Sequence, residues 1–98
     1  MTIDKKQDGN DLTLVLSGRL DTTTAPQMEA VVKESLEGIK NLTLDFTELT
    51  YVSSAGLRVL LTAQKKMNAQ GKMRVIGVSE QIMEIFEVTG FSEILTIE

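Results

Sequence analysis

An α/β domain with a mixed, mostly parallel sheet is the fold class this sequence predicts, and three observations predict it. Apolar residues alternate in Leu12, Leu14 and Leu16 and again in Leu42, Leu44 and Phe46, the period of strands with one buried face. Elsewhere the spacing becomes helical, in Met28, Val31, Val32, Leu36 and Ile39 and in Leu57, Leu60, Leu61 and Met67. Asp8-Gly9 is a dipeptide suited to a tight hairpin, which adds an antiparallel strand at the amino terminus. Strands that alternate with helices otherwise favour parallel pairing through crossovers.

The elements are expected in the order ββαβαβαβ. Residues 2–6 and 11–18 flank the hairpin. Residues 22–26 supply hydroxyls for capping and a proline tolerated in a first turn, so a helix should cover residues 25–37. The Leu42, Leu44, Phe46 alternation is the third strand, and the Leu57 to Met67 pattern is a second helix that Gly71 can stop. Residues 73–78 read as a fourth strand. Residues 80–88 read as a third helix with Ile82, Ile85 and Phe86 on one face, and residues 93–97 as a last strand. With 98 residues and no repeat or linker, the chain is expected to form a single domain over residues 1–98.

Composition removes several classes of function. No apolar run approaches the ~20 residues needed to cross a bilayer, and Met1 leads into polar residues, so a cytoplasmic protein with no membrane partner is expected. The chain has neither cysteine nor histidine. Thiolate chemistry, the commonest general base and the commonest metal ligands are therefore missing, and no catalytic residue, metal site or cofactor is expected. A net charge of −4 with scattered lysines leaves no basic stripe for nucleic acid.

In open α/β sheets, functional groups gather in loops beyond the carboxyl ends of the strands. Three such loops are expected here, at residues 18–24, 47–56 and 77–80. The middle one carries adjacent serines, Ser53 and Ser54, followed by Ala55 and Gly56. A serine there can cap the following helix. It can also resemble half of a nucleophile elbow, but Val52 stands where a glycine belongs, no histidine exists, and Gly56 and Leu57 occupy the places three residues on where a lysine base would be needed. Thirdly, it can be a regulated hydroxyl: a phosphate at a helix start meets the positive end of the dipole, so the fold survives while the surface changes charge.

The stretch LDFTELTYVSSAGLRVLL, residues 44–61, closely resembles the signature of the STAS domain, specifically of stand-alone bacterial anti-sigma factor antagonists. GRLDTTTAP, residues 18–26, resembles the family's Gly-x-Leu-Asp segment before its first helix, and length and element order match over nearly the whole chain. The family's core reads Asp-Ser-Ser/Thr-Gly-Leu, so Gly56 and Leu57 match its Gly-Leu pair and Ser54 falls on the phosphorylated serine. Ser53 replaces the aspartate and becomes a second candidate acceptor. The resemblance implies partner switching. The unphosphorylated chain binds an anti-sigma factor serine kinase and frees a sigma factor, phosphorylation of Ser54 ends the binding, and a serine phosphatase restores it. It implies a partner face around Ser53, Ser54, Ala55 and Gly56, with Asp21 near the kinase and Thr22 beside it. Tyr51 flanks the same loop, and Met83, a flexible side chain at the start of the third helix, suits a partner surface. Asp21 reads equally as a turn or capping carboxylate. An alternative role is an adaptor subunit of a larger assembly, such as a transport complex or stress scaffold, with no serine modified.

Overall fold

The amino-terminal hairpin joins β1 (Thr2–Asp8) to β2 (Asp11–Leu20) in the computed structural model, which describes all 98 residues. Asp8 pairs with Asp11, so the turn consists of Gly9 and Asn10, one residue beyond the expected centre. Gly9 has φ +61°, the positive angle that a two-residue turn with glycine first demands. Then follow α1 (Ala25–Ser35), β3 (Asn41–Val52), α2 (Ser54–Gln70), β4 (Lys72–Ile76), α3 (Glu80–Thr89) and a short 3-10 turn, Phe91–Glu93. The sheet has the order β1-β2-β3-β4, with β1 antiparallel to β2 and the other pairs parallel.

Register builds the core in rows. Leu12, Leu42 and Met73 lie side by side across β2, β3 and β4, as do Leu14, Leu44 and Val75, and all six are buried. Ala25, Met28 and Val32 of α1, Leu57, Leu60, Ala63 and Met67 of α2, and Ile82 and Phe86 of α3 join the same cluster. Each large aliphatic side chain so buried contributes about 1.5–3 kcal/mol. Phe86 meets Phe46 with ring centres 6.4 Å apart, which fixes α3 to β3. The other sheet face is polar: Thr43, next to Thr13 and Arg74 in the ladder, accepts a hydrogen bond from Arg74 Nε at 3.0 Å.

Three further expectations change. The last strand contracts to a bridge between Val75 and Ile97. The N–H groups of Ile94 and Leu95 both donate to the Phe91 carbonyl, at 3.0 and 2.8 Å, and are lost to any ladder. Of the backbone, only Thr96 and Glu98 bond to β4, each through Val75. The second change concerns the middle loop, for β3 runs on to Val52 and leaves Ser53 alone between strand and helix. Two irregularities in register make this possible. Val15 pairs with Asp45 but Ser17 with Glu48, and Gly18 pairs with Leu49 but Arg19 with Tyr51, so β3 carries an extra residue at each place. Each bulge shifts the alternation by one. The buried residues accordingly run Leu42, Leu44, Phe46, Leu49 and Val52, a spacing that leaves period two after Phe46. β4 also stops earlier than expected, at Ile76, because Gly77 has φ +68° and lies against Asp45 and Thr47. Asp45 Oδ1 accepts from the Thr47 hydroxyl at 2.7 Å and its N–H at 3.0 Å. These two bonds, the hydroxyl first, hold the Asp45 carboxyl below the ordinary value of 3.8.

Candidate functional site: the serine turn at the start of α2

The extended strand, a single connecting residue and a long helix place the two serines in different environments. Ser53 keeps extended angles, φ −91° and ψ 175°, and occupies the N-cap of α2. Its Oγ accepts from the Gly56 N–H at 3.3 Å, and its carbonyl accepts from the Leu57 N–H at 2.9 Å. Its own N–H donates to the Leu20 carbonyl at 2.9 Å, so the end of β2 is latched to the start of α2. Ser54 is the first helical residue, and it is exposed. The side-chain hydrogen bond of the turn belongs to Ser53. Capping therefore falls on one serine, and the other presents a free hydroxyl. Neither hydroxyl is bonded to a lysine or carboxylate that could act as its base.

Gly56 is buried beneath this turn, where its missing side chain has a purpose. A Cβ there would stand 2.8 Å from both Leu20 Cγ and the Leu20 carbonyl oxygen, and 3.1 Å from Val52 Cγ1. Glycine is what lets the first turn of α2 lie against the last ladder pair, Leu20 and Val52. Gly56 thus shapes the surface from below, while Ala55 above it is half-buried.

Asp21 does the work of a turn residue. Its Oδ1 accepts from the N–H groups of Thr23 and Thr24 at 3.0 and 3.1 Å and from the Thr24 hydroxyl at 3.2 Å, and its carbonyl accepts from the Ala25 N–H at 2.7 Å. The side chain of Thr24, formally the N-cap of α1, makes no capping bond to the helix. The Thr24 N–H above all, then the Thr23 N–H, the Thr24 hydroxyl and Arg19, hold the Asp21 carboxyl below its ordinary 3.8, against a partly opposing loss of hydration.

Cross-strand register adds a residue that local sequence did not point to. Arg19 pairs with Tyr51, its guanidinium lies 4.5 Å from the centre of the Tyr51 ring, and its Nε is 3.5 Å from Asp21 Oδ2. Arg19 thereby joins Asp21 to Tyr51 on the surface next to the serine turn. Only the pairing of β2 with β3 reveals it. Thr22 and Ala55 line a shallow groove between α1 and α2 together with Glu29 and Arg58. Asp21, Thr22, Tyr51, Ser53, Ser54, Ala55 and Gly56 thus gather at the carboxyl end of the sheet. Met83 lies in the first turn of α3, half-buried against the core, and α3 packs chiefly on β3 and the Phe91–Glu93 turn.

The STAS domain model matches residues 2–98 of this chain. An anti-sigma-B factor antagonist of Listeria monocytogenes is 32% identical to it over 97 residues, which cover 96% of this chain and 84% of that protein. Among solved structures, an anti-sigma factor antagonist from Mycobacterium paratuberculosis has a TM-score of 0.88 at 18% identity, covering 98% of this chain and 83% of its own. The Bacillus cell fate determinant SpoIIAA, solved in its phosphorylated form, has a TM-score of 0.76 at 16% identity, covering 99% and 91%. At those identities the two structures speak for the fold, whereas the match over residues 2–98 and the Listeria relative speak for descent. This chain belongs to the STAS domain family, with anti-sigma factor antagonists as its relatives.

Proposed function

We propose that this protein is an anti-sigma factor antagonist that works by partner switching. Unphosphorylated, it binds an anti-sigma factor serine kinase through the Ser53–Gly56 turn and the neighbouring Asp21, Thr22 and Tyr51, with Met83 at the margin, and so frees a sigma factor. Phosphorylation of Ser54 ends that binding, and a serine phosphatase restores it. The observation that carries this reading is the division between the two hydroxyls: Ser53 is committed to the cap, while Ser54 is exposed and unengaged. With Gly56 and Leu57 bonded to Ser53, the N–H groups of Ser54 and Ala55 stay without a partner in the first turn. A phosphate on Ser54 meets these donors and the positive end of the helix dipole, so the fold accepts it. The added charge of roughly −1.5 to −2 then alters the surface that the kinase docks on. The phosphorylated SpoIIAA offers a precedent in a protein of the same fold.

Incubation with the cognate kinase and ATP, followed by phosphosite mapping, tests the reading. Phosphate is expected on Ser54, and Ser54→Ala should abolish it. Ser54→Asp should weaken kinase binding while changing stability by less than about 1 kcal/mol, because a helix start accommodates a carboxylate. Phosphate confined to Ser53 would mean that the acceptor has been misassigned. A chain that binds the kinase but is never modified would favour the adaptor role.

A further inference from the structure

We propose that Arg58 is the counter-charge that holds the phosphate of modified Ser54, an inference that rests on Ser54 being the modified residue. Arg58 lies four residues after Ser54 in the 17-residue helix α2, and both are exposed. Residues so spaced are neighbours on a helix surface, with Cβ atoms about 5–6 Å apart. Helical side chains lean toward the amino terminus, so Arg58 extends back over the turn that begins with Ser54. An anion one turn before a cation is also the favourable order along the helix axis.

The surrounding charges leave Arg58 available. It takes part in none of the three ion pairs of the molecule. Glu29, the carboxylate that shares the groove with it, is paired with Lys33 at 3.3 Å. Arg19, the other arginine near the serine turn, is held by Asp21 and by the Tyr51 ring. A phosphate at Ser54 therefore meets one unpaired guanidinium within reach, and this group can offer it two parallel N–H donors. Pairing folds the phosphate down over the first turn of α2, toward the Thr22 and Ala55 side of the groove, instead of leaving it to swing in water. The modification then blocks the docking surface by occupying it, in addition to repelling.

The test installs phosphoserine at position 54 during synthesis of the full chain, so that it does not depend on any kinase, and follows the phosphate by phosphorus NMR against pH. A paired guanidinium favours the doubly charged phosphate and lowers its second pKa, ordinarily near 6. That pKa should lie about 0.2–0.4 pH unit lower in the parent chain than in Arg58→Gln, with Arg58→Lys recovering part of the difference. The helix dipole and the free N–H groups act equally in all three chains and cancel. Arg19→Gln should leave the value unchanged. Coincident titrations of the parent chain and Arg58→Gln, or a shift produced by Arg19→Gln instead, would overturn the assignment. Failure of the kinase to modify Ser54 would count against the switching function and leave this measurement intact.

Discussion

The helices α2 and α3 begin in the same way and differ one residue later. Ser53 and Ser79 both sit at the N-cap with extended angles, and their hydroxyls accept from the N–H three residues on, at 3.3 Å from Gly56 and 3.2 Å from Ile82. Both carbonyls also accept the next N–H, from Leu57 and Met83. The first helical residue is then Ser54 in α2 and Glu80 in α3. The start of α3 already carries the negative charge that a helix dipole favours, and the start of α2 has a neutral hydroxyl at the equivalent place. Phosphorylating Ser54 would give α2 the kind of charge that α3 has built in. The comparison teaches that one helix start of this molecule already accommodates a negative charge at the place that Ser54 occupies in the other.

The largest expected effect concerns the third helical position, where the two starts part most sharply. Ile82 is a full-sized core residue, whereas Gly56 has Leu20 where a Cβ would go. Gly56→Ala should destabilise the protein by about 1–3 kcal/mol, the usual range for forcing atoms into a packed contact. Urea denaturation measures it. A midpoint no lower than that of the parent chain would show that α2 is free to move off Leu20.

The caps themselves should behave as a pair. Ser53→Ala and Ser79→Ala should each lower stability by about 0.5–2 kcal/mol, and Ser54→Ala by no more than about 0.5, since the Ser54 hydroxyl bonds to nothing. Ser53→Asp should fold as well as the parent, because aspartate is as good an N-cap as serine. The same substitution brings back the family's usual residue. Thermal melts of the four variants decide the matter, and equal losses from Ser53→Ala and Ser54→Ala would erase the distinction between the two hydroxyls.

The smallest effect separates α1 from both. The serine caps do not titrate, while the turn that leads into α1 is held by the Asp21 carboxylate, whose pKa is lowered in the folded state. A lowered folded-state value means that the carboxylate contributes stability above its unfolded pKa, and that this contribution fades as pH falls through the folded one. The gap in stability between the parent chain and Asp21→Asn should therefore be widest near neutrality and close as pH drops below 3.8. Denaturation midpoints measured at descending pH check this, and a gap that widens in acid would contradict the bonding described for Asp21.

Most of the fold was legible because single segments declare themselves. The alternating leucines, the helical apolar spacing and the serines ahead of the helices are properties of neighbouring residues. The bulges in β3 were not legible, since a bulge is defined against its partner strand and simply looks like the end of the alternation after Phe46. For the same reason residues 47–52 read as loop. Residues 93–97 read as a strand, yet the Phe91 carbonyl takes the donors that a ladder required. At the candidate site, the serine turn could be found from its residue types, and Asp21 from the resemblance of residues 18–26 to the family's segment. Arg19 could not, because it reaches Tyr51 only through a register between strands about thirty residues apart.

By itself the sequence determined the element types, the apolar faces and the adjacent hydroxyls at a strand-to-helix turn, because these follow from local spacing and side-chain chemistry. Tertiary structure alone decided which hydroxyl is used up. The extra residues in β3 set where the strand ends, and that end, latched by the Ser53 N–H to the Leu20 carbonyl, makes Ser53 the cap and Ser54 the first exposed residue of the helix. A shift of one residue toward the carboxyl end would instead make Ser54 the cap and leave Ser53 outside the helix, since a cap is defined by where the helix begins and the packing of the sheet fixes that point.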